Sequence, residues 1–154
     1  MIDDKKVHNR IVLMDLNVAL SSNFGSMYQY GFEDFVKNHE KYRQWMVELL
    51  RPEFVILITA RNIKWAIPTL KRIVDETEWQ PNVALFNDTG YDGQDAPKIK
   101  EHQMLNHVFS RYGDDPSIYH AIDSNSGTRA MYRRLGITSV HDAARRGRWA
   151  KLPF

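Results

Sequence analysis

Five short apolar runs, at 11–14, 54–58, 83–86, 118–122 and 138–140, recur along the chain. Most are near-continuous and not alternating, as in strands covered by helices on both faces of a sheet. Between them the hydrophobic spacing changes to three and four. Ile63, Ala66, Ile67, Leu70, Ile73 and Val74 form one such stripe. The stretch "DAPKIKEHQMLNHVFSRYG" offers Asp95 as N-cap and Pro97 in the first turn, predicts a buried face of Leu105, Val108 and Phe109, and stops at Gly113. "SGTRAMYRRLGI" reads as a short helix closed by Gly136. Strand and helix alternate without repeat or linker. The pattern predicts an α/β fold, a three-layer Rossmann-like sandwich around a parallel five-stranded sheet.

Residues 18–53 are the one long interruption. They predict a loop followed by one or two helices, with Trp45, Met46, Leu49 and Leu50 on an apolar face. That is too little for a folded cap, so a minimal cap and an open mouth are expected. Phe24, Tyr28, Tyr30 and Phe32 lie in this stretch, as stacking surfaces for a base or as the core of a long loop.

Composition narrows the chemistry. With 154 residues, 43% hydrophobic and 26% charged, the chain reads as a single globular domain over 1–154. It has no cysteine, which excludes a thiol nucleophile and thiolate metal ligands. The six histidines show no zinc-site spacing. The apolar run that ends at Asp15 is too short for a signal-peptide core or a membrane span, so a cytoplasmic protein that does not engage membranes is expected. A net charge of +2 is modest, but a basic tail from about 143 gathers Arg145, Arg146, Arg148 and Lys151 around Trp149. That tail is either a packed terminal turn or a nucleic-acid contact.

In parallel α/β sheets, ligands sit beyond the carboxyl ends of the strands. Asp15, Thr59 and Asp123 occupy three such ends. A rigid strand-end aspartate can be a nucleophile or a metal ligand. Two carboxylates suit Mg²⁺ together with a phosphate and water. A hydroxyl such as Thr59 can then donate to a phosphoryl oxygen, and a lysine can neutralise the charge that develops in transfer.

"IVLMDLNVAL", "VILITARN", a lysine of "DAPKIKEHQ" and "YHAIDSNSGTRAMYRRLGI" resemble, in order, the four motifs of the haloacid-dehalogenase-like (HAD) phosphohydrolase superfamily. Within it, "TAR" and the segment around "MYRRLGI" are most similar to the 3'-phosphatase domain of phage-type polynucleotide kinases. The resemblance implies a phosphatase using Mg²⁺ and an aspartyl-phosphate, acting on a phosphorylated small molecule, a nucleotide or a nucleic-acid 3'-phosphate. Asp15 would be the nucleophile. Asp15, Asp123 and the carbonyl of Asn17 would hold the metal. Thr59, Ala60 and Arg61 would bind substrate.

The motif lysine is Lys98 or Lys100. The helical wheel places Lys98 with Leu105 and Phe109, whereas the relatives' placement after an apolar residue favours Lys100. Three positions depart from the family: Ala19, Ser124, and above all Asn17, where an acid-base aspartate is usual. Asn17 is open to three readings: a natural variant, a catalytically degenerate domain that binds phosphate or nucleic acid without turnover, or a substitution introduced to trap a complex.

Overall fold

The structure is a computed structural model that describes residues 8–141. The basic cluster from Arg145 to Lys151 lies outside the described residues. The sheet has the order β3-β2-β1-β4-β5, parallel throughout, with β1 (Ile11–Asp15) at its centre. The other strands are β2 (Val55–Asn62), β3 (Val83–Asn87), β4 (Tyr119–Ile122) and β5 (Thr138–Val140). Every residue of β1 is buried, which explains its unbroken apolar run.

Alternation along the strands then sorts side chains between two cores. Val12, Met14, Leu57 and Ile122 join one core, with Met46, Val47 and Leu50 of α1 (Gln44–Leu50) and Ile73 of α2 (Ala66–Thr77). Ile11, Leu13, Ile58 and Ala121 join the other, beside α3 (Ala96–Gln103) and α4 (Ser126–Arg134), which contributes Met131 and Tyr132. Each fully buried aliphatic side chain is worth roughly 1.5–3 kcal/mol. A one-residue slip of β1 would exchange its faces, so its apolar residues also fix the face on which Asp15 emerges.

Two helix faces differ from the sequence expectation. On α2, Ile67 is 83% exposed and Ile63, which precedes it, also faces solvent, while Thr69 and Ile73 are buried. The stripe is the edge of the contact and not its centre. After α3 the chain passes through a wide i→i+5 turn, Met104–Val108, before the last helical turn, Phe109–Tyr112. The extra residue rephases the wheel. Met104 and Val108 are buried and Leu105 is half exposed, so extrapolating back from Leu105 points to Lys98, which is exposed, and not to the buried Lys100. Residues 24–39 are short helical turns, and among the described residues no separate cap domain forms. Here α1 buries Val47 where Leu49 was expected. No helix of the described residues is long and apolar enough to cross a membrane.

Candidate active site

Asp15 continues the parity of Ile11 and Leu13, and Asp123 that of Tyr119 and Ala121. Both therefore emerge toward α3, where Ile99, Lys100 and Gln103 face inward. Lys100 Nζ donates to Asp15 Oδ1 at 2.7 Å and to Asp123 Oδ2 at 2.6 Å. The three residues are only 6%, 2% and 1% exposed for Asp15, Lys100 and Asp123. Lys98, two residues and so about 200° away on the helix, is exposed, and its ammonium lies 4.2 Å from the Tyr91 ring centroid. The structure thus brings Lys100, and not Lys98, to the carboxylates.

Around this trio the loop after β4 supplies further donors. Ser124 donates its hydroxyl to Asp15 Oδ2 at 3.1 Å, and Asn125 N–H donates to Asp123 Oδ1 at 2.9 Å. Two carboxylates and one ammonium leave one excess negative charge. Burial pushes the Asp15 carboxyl up to about 6; Lys100 opposes the rise and the charge of Asp123 adds to it. Burial pulls Lys100 down, but the two carboxylates outweigh it and its net shift is upward.

A cavity of about 180 Å³ opens on the trio, lined also by Asn17, Val18, Ala60, Gly93, Ser124 and Asn125. It shares Asn17, Ala60 and Gly93 with a neighbouring cleft of about 280 Å³ walled by Phe24, Met27, Phe32 and Trp65. Of the four predicted aromatics, Phe24 and Phe32 line this cleft, whereas Tyr28 is 85% exposed and Tyr30 stacks on His39. A larger groove of about 600 Å³ on the outer side of α2 contains none of the trio. The smaller cavity is the candidate site because the titratable groups converge there.

Thr59 and Arg61 follow Leu57 in parity and therefore turn to the opposite face of the sheet from Asp15. Thr59 is fully buried, accepts the Arg61 backbone N–H at 3.0 Å, and lines neither cavity. Arg61 turns toward α2, where its guanidinium forks onto Glu40 at 2.9 and 2.7 Å. Glu40, fully buried, had no signal within the polar run "HEKYRQ". Pairing with a buried arginine is visible only in three dimensions. Ser124 departs from the family pattern, and no local sequence signal points to its bond to Asp15.

The loop that carries Asn17 is held tightly. Arg43 donates to the carbonyls of Ala19 at 2.9 Å and Val18 at 3.2 Å. Val18 takes φ 68° and ψ −34°, a conformation costly for a β-branched residue. Val18→Gly should raise stability by about 1 kcal/mol, read from the urea midpoint. An unchanged or lower midpoint would mean that the turn stores no strain.

Among the described residues no three His, Cys, Asp or Glu side chains cluster as a metal cage. The oxygen set of Asp15, Asp123, the Asn17 carbonyl and the Ser124 hydroxyl suits Mg²⁺, which takes one or two carboxylates and keeps water and phosphate. The excess negative charge of the trio suits a cation in the same place.

No protein-family model and no curated protein matches the sequence. Solved structures do match. A chain of the Pnkp1/Rnl/Hen1 RNA repair complex superposes with TM-score 0.66 and 18% identity over 89% of this chain. This chain spans only 44% of that one. A hydrolase from Streptococcus pneumoniae gives TM-score 0.60 at 9% identity, covering 95% of this chain and 99% of that one. The HAD domain of the Legionella pneumophila effector Lem4 gives 0.53 at 11%, covering 96% and 92%. The sheet order, the flanking helices and these superpositions make this chain haloacid-dehalogenase-like in fold.

Proposed function

We propose that the chain is a Mg²⁺-dependent phosphohydrolase that works through an aspartyl-phosphate on Asp15 and takes its phosphate from a nucleotide or a nucleic-acid 3' end. The observation that carries the reading is Lys100, buried between Asp15 and Asp123 within hydrogen-bond reach of both. Asp15 Oδ attacks phosphorus, and the bond to the leaving oxygen breaks with its electron pair on that oxygen. Water then cleaves the acyl phosphate, returning the carboxylate and inorganic phosphate. Lys100 offsets charge on the phosphoryl oxygens as they develop. Asp15, Asp123 and the Asn17 carbonyl would hold Mg²⁺, which when bound neutralises the phosphoryl charge. Ala60 and Gly93 border the substrate through their backbone, and Thr59 acts by fixing the Arg61 amide.

The aromatic cleft beside the cavity supports a nucleoside leaving group, since Phe24, Phe32 and Trp65 line it and aromatic side chains stack bases. The RNA repair complex among the structural neighbours and the basic cluster from Arg145 to Lys151 support a nucleic-acid end over a small sugar phosphate. Asn17 favours a second reading, a domain that binds without turning over. A phosphatase screen decides between them, with and without Mg²⁺, on 4-nitrophenyl phosphate and a 3'-phosphorylated oligonucleotide. Mg²⁺-dependent phosphate release that EDTA abolishes is the expected result. Oligonucleotide binding without release, unchanged in Asn17→Asp, would establish the second reading.

A further inference from the structure

The groove of about 600 Å³ on the outer side of α2 holds none of the residues placed in the chemistry, yet it begins where the aromatic cleft ends. Trp65 lines both. Its ring centroid lies 5.1 Å from that of Phe32, another wall of the cleft. Three concavities therefore follow one another from Asp15: the cavity of the trio, the cleft and the groove.

The groove carries an excess of cations. Lys37, Lys64, Lys71 and Arg72 stand against two carboxylates, Glu33 and Asp75. Lys37 pairs with Glu33 and Lys71 with Asp75, but each of these side chains is more than half exposed. Such pairs are worth little in water and give way readily to a phosphate. Lys64, in the turn that leads into α2, pairs with no carboxylate among the described residues, and its ammonium lies 5.3 Å from the Trp65 ring centroid. Lys64 and Lys71 are two helical turns apart, roughly 10 Å along the axis. Between them Ile67 and Pro68 give the groove an apolar floor. The wall is also fixed relative to the site. Arg72 Nε donates to the Glu40 carbonyl at 2.9 Å, and the Glu40 carboxylate holds Arg61 beside the cleft.

A ring followed by spaced cations, in line with a phosphoryl site, matches a single nucleic-acid strand, whose bases stack and whose phosphates pair. A duplex keeps its bases inside and would leave Trp65 unused. A peptide or a second copy of the chain would cover Ile67 but leave the excess cations without a partner.

We infer that the groove carries the strand of a single-stranded nucleic acid on the 5' side of the phosphate held at Asp15. The terminal nucleoside occupies the cleft, the next base lies on Trp65, and Lys64 and Lys71 take the phosphodiesters that follow. The inference rests on the nucleic-acid reading of the site and adds a length requirement to it. A strand of several nucleotides is preferred over a mononucleotide.

The test separates the groove from the chemistry. Fluorescence anisotropy reads binding of a single-stranded oligonucleotide that carries no 3'-phosphate. Phosphate release is followed on a 3'-phosphorylated octanucleotide, a nucleoside 3'-phosphate and 4-nitrophenyl phosphate. Both lysines are exposed, so Lys64→Glu/Lys71→Glu should fold normally. It should weaken oligonucleotide binding about tenfold or more at low salt and flatten the slope of log K against log salt by about 1.4, or 0.7 for each phosphate. KM for the octanucleotide should rise by a similar factor, while both small substrates are unaffected. Trp65→Ala should weaken binding about tenfold with the salt slope unchanged.

Binding and KM that are indifferent to the two lysines overturn the proposal, as does a duplex bound as tightly as the single strand. A dimer that Ile67→Asp dissociates, with oligonucleotide binding intact in Lys64→Glu/Lys71→Glu, would give the groove to a second copy instead. Lysine-dependent binding without release from any substrate defeats the phosphohydrolase reading and leaves the groove assigned. Release from nitrophenyl phosphate without lysine-dependent binding does the reverse.

Discussion

Asp15→Asn is expected to abolish phosphate release, by at least about 10³-fold, and at the same time to make the protein more stable at neutral pH. The second effect follows from the charge balance of the buried trio. Lys100 keeps Asp123 at 2.6 Å in the variant, so no cation is orphaned, while the excess carboxylate charge disappears. The sign is set by the shift of Asp15, whose carboxyl is raised from 3.8 to about 6 in the folded protein. Because the folded state holds this proton more tightly than the unfolded chain, its contribution to stability is present below pH 4. It is lost as pH rises through about 6. The loss is roughly 3 kcal/mol, the cost of keeping Asp15 ionised at neutrality. Removing it should raise Tm by roughly 5–10 °C at pH 7.5, and by little at pH 4. Thermal melts of both proteins across that range provide the measurement. A variant less stable at pH 7.5 would show that the Asp15–Lys100 pair is a net support of the fold. A variant with wild-type turnover would remove Asp15 from the chemistry.

The division between what could be read in the sequence and what could not follows from the range of each signal. Strand identity is local, because the apolar runs of β1 and β2 leave no alternative to burial. The strand-end positions of Asp15 and Asp123 came directly from it. Parity extends this reach. Counting by twos from Leu13 and Ala121 puts both carboxylates on one face, and counting from Leu57 puts Thr59 and Arg61 on the other. Grouping all strand-end polar groups at one rim overlooked that distinction. The choice between Lys98 and Lys100 stays open in the sequence for a different cause. A wheel extended across Met104–Val108 assumes one residue fewer per turn than the chain has there, and the error accumulates back to Lys98. Glu40 lay beyond any local signal. Its partner Arg61 is 21 residues away, and the pair exists because a buried guanidinium must find a carboxylate.

Lys100→Met is expected to be the most damaging single change at the site. Methionine replaces the stem of the lysine well but leaves Asp15 and Asp123 facing a core with two negative charges and no counter-charge. Removing one partner of a buried ion pair typically costs about 3–5 kcal/mol, a large share of the stability of a domain this size. Turnover should vanish with it, since the phosphoryl group would meet uncompensated carboxylates. Two rescues separate charge from shape. Lowering the pH toward 5 should recover stability, because protonating Asp15, whose carboxyl is already raised by burial, relieves the repulsion. Mg²⁺ should stabilise the variant more than the wild type, by an amount that grows with the logarithm of its concentration, because the cation binds the folded state and replaces the lost ammonium. Thermal melts with Mg²⁺ and with Na⁺ at matched ionic strength distinguish specific binding from screening. Equal shifts with the two salts would mean that these oxygens do not form a divalent-cation site. The pairing of Asp15 and Asp123 would then serve the fold alone.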